Sequence, residues 1–148
     1  MMPIRYFSEG VDFKPKHPRK TADWIIKSAQ KEKAKIKSVN YIFCTDDYLL
    51  TLNQSFLKHN TLTDIITFDY SESKKSLEGE IYISIDRVRE NALKFKRTED
   101  DELHRVIIHG ILHLIGYKDK TREAKTLMRE KEDAYLSLRQ QNVPRGTK

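Results

Sequence analysis

From Leu103 to Ile115 the chain reads LHRVIIHGILHLI, and on a helix these apolar residues surround nearly the whole circumference. A helix of that kind cannot face water, so the remaining elements must be wrapped around it. The acidic run Glu99, Asp100 and Asp101 sits where the positive end of its dipole would lie, and Gly116 suits the left-handed turn that closes a helix. The sequence therefore predicts a buried central helix over residues 98–116.

Two histidines interrupt that apolar surface. Burying imidazole costs free energy unless its nitrogens are satisfied. His109 and His113 are four residues apart, about 40° around the axis, and point the same way, whereas His104 faces elsewhere. Such a pair can hold a divalent metal ion. Beyond Gly116 the turn YKDK can fold back and deliver a third donor, and Asp119 is the nearest candidate, giving H-x3-H-x5-D. Three protein donors leave a position open for solvent, the pattern of a catalytic zinc site. Two core histidines capped by backbone carbonyls are the alternative, and spacing alone does not separate the two readings.

The 148 residues suffice for one domain with a single core. Strand patterns at 4–7, 38–44, 63–70 and 79–85 alternate irregularly with helical patterns at 19–36, 45–57, 86–96 and 121–140. The third and fourth strands read as a hairpin with a long connection. This predicts an α+β fold: a mixed four-stranded sheet packed with about five helices, the metal site at the end of the buried one. Residues 1–140 are expected to form one domain and the basic residues 141–148 a disordered tail.

With 28 Lys and Arg against 22 Asp and Glu, the formal charge is +6, which favours polyanionic partners, nucleic acid before membrane. Cys44 is the single cysteine, which excludes internal disulfides and fits a reducing cytoplasm, and its apolar strand makes it core filler. The longest apolar run, broken by His and Gly, is too short to span a bilayer, and no signal peptide is read at the N-terminus.

The stretch HGILHLIGY, residues 109–117, resembles the H-G-x-L-H-L-x-G-Y-D-H motif of the YbeY family of bacterial endoribonucleases. LNQSFLKHNTLTDIITFDY (52–70) and GEIYIS (79–84) are similar to further segments of that family, and Met128 and Glu132 fit its last helix. The resemblance implies an α+β domain holding one zinc ion per chain. It also implies zinc-dependent cleavage of single-stranded RNA in the maturation of the 16S ribosomal RNA 3′ end and in ribosome quality control. The partners would be ribosomal RNA and the small ribosomal subunit, with no membrane and no DNA involved.

The family's three metal histidines map onto His109, His113 and the position of Asp119. At that last place the chain departs from the pattern, with Lys118-Asp119 where the family has Asp-His. A carboxylate replaces an imidazole there, which lowers the site's charge and favours tolerance of harder ions such as manganese. A second departure is Leu57, where the family usually places an arginine. Lys58 or His59 would then supply the positive charge toward substrate. The catalytic group is read as a metal-bound water, with no separate side-chain base assigned. A zinc peptidase of the H-E-x-x-H kind is disfavoured, because Gly110 stands where the glutamate base is needed. A non-catalytic, zinc-containing ribosome-assembly factor remains the principal alternative.

Overall fold

A computed structural model describes residues 2–57 and 63–141. The elements run β1 (Ile4–Glu9), α1 (Pro18–Lys31), β2 (Lys35–Cys44), α2 (Asp46–Leu52), β3 (Ile65–Asp69), β4 (Ser76–Ser84), α3 (Ile85–Lys94), α4 (Glu99–Ile115) and α5 (Arg122–Gln141). A π-helical turn, Asn53–Leu57, extends α2. The four strands form one sheet in the order β1-β2-β4-β3. β1 and β4 run parallel to β2, and β3 runs antiparallel to β4, so the sheet is mixed. This is the α+β fold that the sequence predicts. Lys58 and His59 lie outside the described residues, as do residues 142–148.

The central helix α4 forms for the reasons its sequence suggests. Thr98 Oγ1 accepts the Asp101 N–H at 3.0 Å, and four acids fill the first turn. Gly116 closes the helix at φ 123°, where a Cβ would be strained, and the Tyr117 N–H bonds back to the Leu112 carbonyl at 3.0 Å. Along the helix Ile107, Ile108, Ile111, Leu112 and Leu114 are fully or almost fully buried.

One face of the sheet supplies the other half of the core. Val39, Tyr41 and Phe43 of β2 and Leu77, Ile81 and Ile83 of β4 alternate toward α4 with period two. The Tyr41 hydroxyl donates to the Ile107 carbonyl at 2.9 Å, tying the centre of the sheet to the centre of the helix. Gly110 lets the two approach closely: a Cβ there would stand 2.9 Å from Ile81 Cδ1 and 3.2 Å from Ile65 Cδ1. His104 faces away from the histidine pair, as expected. Its Nδ1 pairs with the Asp100 carbonyl at 2.7 Å, its Nε2 with Thr21 Oγ1 at 3.2 Å, and its ring packs on Trp24.

Two boundaries differ from expectation. The first helix stops at Lys31 and β2 begins at Lys35, because Lys33 adopts φ 61° and reverses the chain without a glycine to announce it. β4 begins at Ser76 rather than 79, so the hairpin connection is short and closed by a Ser73–Ser76 bridge. Cys44 is fully buried, its thiol directed at the Ile83 carbonyl and its pKa pushed up to about 12 by burial and nearby carboxylates. It is inert core filler. No helix among the described residues is long and apolar enough to cross a membrane.

Candidate metal centre

A cleft of about 620 Å³ opens between the β3 edge of the sheet and α4. His109 and His113 rise into it from consecutive turns of α4, with ring centroids 5.5 Å apart. The turn after Gly116 brings Asp119 over the same spot. His109 Nε2 is 3.3 Å from Asp119 Oδ2, and His113 Nε2 is 4.0 Å from Asp119 Oδ1. One donor atom from each of the three residues lies within 4.8 Å of the others, and this is the one such group among the described residues.

The donor set suits a borderline divalent ion. Two imidazole nitrogens and a carboxylate oxygen are the donor types of catalytic zinc sites. Donors about 2 Å from a tetrahedral ion stand ~3.3 Å apart. The observed separations therefore need only small side-chain rotations to close.

What lies behind the three donors is equally specific. His109 Nδ1 donates to Glu132 Oε2 at 2.7 Å, which leaves the Nε2 lone pair facing the cleft. Glu132 is buried and its other oxygen accepts from Arg105 Nη1 at 2.9 Å. Arg105 reaches further, to Asp133 Oδ1 at 2.7 Å. The result is a chain from α5 through α4 to the donor nitrogen. Burial opposes charge on His109, but Glu132, Asp64 and Asp119 outweigh it and raise its pKa above the ordinary 6.5. His113 moves the other way, lowered by burial and by His109 against the pull of Asp119.

The turn carrying Asp119 is held by a second, half-buried carboxylate. Glu32, at the end of α1, accepts from the Tyr117 hydroxyl at 2.5 Å, from Lys131 Nζ at 3.0 Å and from the Tyr135 hydroxyl. Burial works against the charge on Glu32, yet these three donors bring its pKa below the usual carboxylate value. Tyr117 is thereby fixed two residues ahead of Asp119.

Three further carboxylates line the cleft: Asp64, Asp69 and Glu102. Glu102 is buried and paired with Arg97 at 2.8 Å, so it belongs to the wall as well as to the first turn of α4. Asp64, on the other wall, forms no side-chain ion pair among the described residues, and burial raises its pKa against the influence of His109. Leu57 also lines the cleft and brings it no charge. The proposed donors were legible in the sequence. Arg105 and Asp64 were not singled out, because an arginine among apolar residues and an aspartate at a strand entry carry no spacing signal.

Comparison with known proteins adds a family. The model of the family described as Endoribonuclease YbeY matches residues 4–140. An Endoribonuclease YbeY of Cytophaga hutchinsonii is 53% identical over 92% of this chain and 95% of its own. One from Flavobacterium psychrophilum is 48% identical over 89% and 94%. Among solved structures, the solution structure of a Thermotoga maritima protein aligns with a TM-score of 0.66 at 30% identity, covering 98% of this chain and 99% of that one.

Proposed function

The chain belongs to the endoribonuclease YbeY family, and on that premise we propose that it is a zinc-dependent endoribonuclease of the cytoplasm. Its substrate is single-stranded RNA, and its task is maturation of the 16S ribosomal RNA 3′ end and ribosome quality control on the small subunit. The observation that carries the reading is the convergence of His109, His113 and Asp119 donor atoms within 4.8 Å in an open cleft. Those three residues would hold one zinc ion per chain. When bound, the ion supplies Lewis acidity toward a phosphoryl oxygen and toward water.

The protein's own residues do the rest. His109 and His113 present ring nitrogens to the cleft from a rigid, buried helix, so holding an ion there needs little reorganisation. Glu132 fixes the tautomer and orientation of His109, and Arg105 holds Glu132 in place. Asp64 is assigned as the group that accepts a proton during the cut. It is the cleft carboxylate without an ion-pair partner among the described residues, and burial raises its pKa against the influence of His109.

The test is cleavage by the zinc-loaded full chain of a single-stranded RNA, its duplex and a DNA of the same sequence. Cutting of the single-stranded RNA alone, abolished by His113→Ala and strongly reduced by Asp119→Ala, is the expected result. Binding to small subunits that survives His113→Ala, with no cleavage by the unaltered protein, would overturn it in favour of an assembly factor. That alternative draws on Leu57, which itself brings no charge to the cleft.

A further inference from the structure

The cleft is a poor host for a polyanion as far as its floor is concerned. Asp64, Glu102, Asp119 and Glu132 all line it, so a nucleic-acid backbone must find its positive charge elsewhere. Three cations line the same cleft: Lys74, Arg105 and Lys118. Arg105 is committed, because it spans Glu132 and Asp133 at 2.9 and 2.7 Å. Removing it from that pair would leave a buried carboxylate without its partner.

Lys74 and Lys118 are not committed. Lys118 is exposed and forms no ion pair among the described residues. Lys74 is 61% exposed and its one contact, to Asp69 at 3.5 Å, joins a carboxylate that already accepts the Ser71 N–H at 2.9 Å. An ion pair that open to solvent is worth little and exchanges cheaply.

Both belong to the same end of the cleft. The aliphatic stem of Lys74 passes over Gly116, where a Cβ would stand 3.8 Å from its Cδ and Cε. Lys118 leaves the chain two residues after that glycine and one before Asp119. The β3–β4 connection and the turn after α4 thus meet at Gly116, each bringing one solvent-exposed ammonium to the rim beside the proposed donors.

We propose that Lys74 and Lys118 form a phosphate-binding subsite, taking a backbone phosphodiester of the single-stranded RNA next to the one that is cut. The proposal rests on the ribonuclease reading above and deepens it: substrate is gripped at the Gly116 end of the cleft, beside the proposed metal centre. Point charges on flexible stems read the backbone and not the bases, so the grip is indifferent to sequence.

The test uses the full-length zinc-loaded protein and a fluorescent, uncleavable 2′-O-methyl single-stranded RNA, with affinity measured across a series of KCl concentrations. Lys74→Ala and Lys118→Ala should each weaken binding about five-fold at low salt, the value of one charge contact in water. Each should also flatten the slope of log affinity against log salt by about 0.7. Zinc content and melting temperature should stay unchanged. Lys27→Ala, an exposed lysine on α1 that does not line this cleft, serves as the control and should do nothing. Equal losses in all three variants, or none in the first two, would overturn the subsite while leaving RNA cleavage by the unaltered protein intact. Absence of RNA binding and cleavage in the unaltered protein would remove the ribonuclease reading and the subsite together.

Discussion

Glu132 Oε2 lies 2.7 Å from His109 Nδ1, although 23 residues separate the two in sequence and they belong to different helices. That contact decides which nitrogen of His109 faces the cleft. Glu132→Gln keeps the shape and removes the charge. It should lower zinc affinity at least ten-fold, the usual cost of losing a carboxylate behind a histidine donor. Competition with a chromophoric chelator measures it, and an unchanged affinity would show that Glu132 serves only to anchor α5.

The same contact predicts how metal binding responds to acid. A proton on His109 competes with the ion, and the raised pKa means that this competition begins above the ordinary 6.5. Zinc affinity should therefore decline as pH falls through the neutral range. In Glu132→Gln the decline should start at lower pH, because the carboxylate that stabilises the imidazolium is gone. In the metal-free protein the linkage has the opposite sense. The raised His109 pKa contributes stability that is present below about 6.5 and disappears as pH rises through the folded value. Chelator titrations and apo-protein melting over the same pH range separate the two effects.

Glu32 offers a test of how the third donor is placed. Glu32→Gln weakens a half-buried acceptor that serves Tyr117, Lys131 and Tyr135, and should cost roughly 1–3 kcal/mol of stability. Zinc affinity should fall with it, because Tyr117 holds the turn that carries Asp119. Tyr135→Phe breaks the same network on the α5 side. It should lower the melting temperature with a much smaller effect on zinc, and equal zinc losses in both variants would argue against a specific hold on the turn.

Two glycines should behave unequally. A Cβ at Gly79 would lie 2.4 Å from the Phe68 carbonyl oxygen, a backbone atom that can move only by displacing β3. Gly79→Ala should cost about 2 kcal/mol or more and disturb the cleft wall. At Gly110 the nearest atoms are side-chain methyls, Ile81 Cδ1 and Cγ2 at 2.9 and 3.0 Å and Ile65 Cδ1 at 3.2 Å. The roughly 1 kcal/mol gain in helix propensity offsets part of that crowding, so Gly110→Ala should destabilise, but less than Gly79→Ala. Thermal melting of the two variants checks the order.

Much of this was legible in the chain, and particular residues show why. His109 and His113 are visible because helical periodicity is a local property, and Asp119 because it is the first carboxylate past the glycine that ends the helix. The expected hairpin formed because its strands are neighbours in sequence. Glu132 fits the family pattern, but only the packing of α4 on α5 shows what it touches. Arg105 and Asp64 acquire meaning only from contacts and burial that no local pattern encodes. The early start of β2 escaped notice because a lysine, Lys33, occupies the left-handed turn.

The two histidines stand on a helix that is fastened on every side before any cation arrives, by the sheet, by α1 and by α5. Chelation should thus empty the centre without melting the molecule, unlike a zinc finger, which falls apart when stripped. Ions can then be exchanged in the folded protein, and cobalt substitution would turn a spectroscopically silent centre into a coloured reporter of its own coordination.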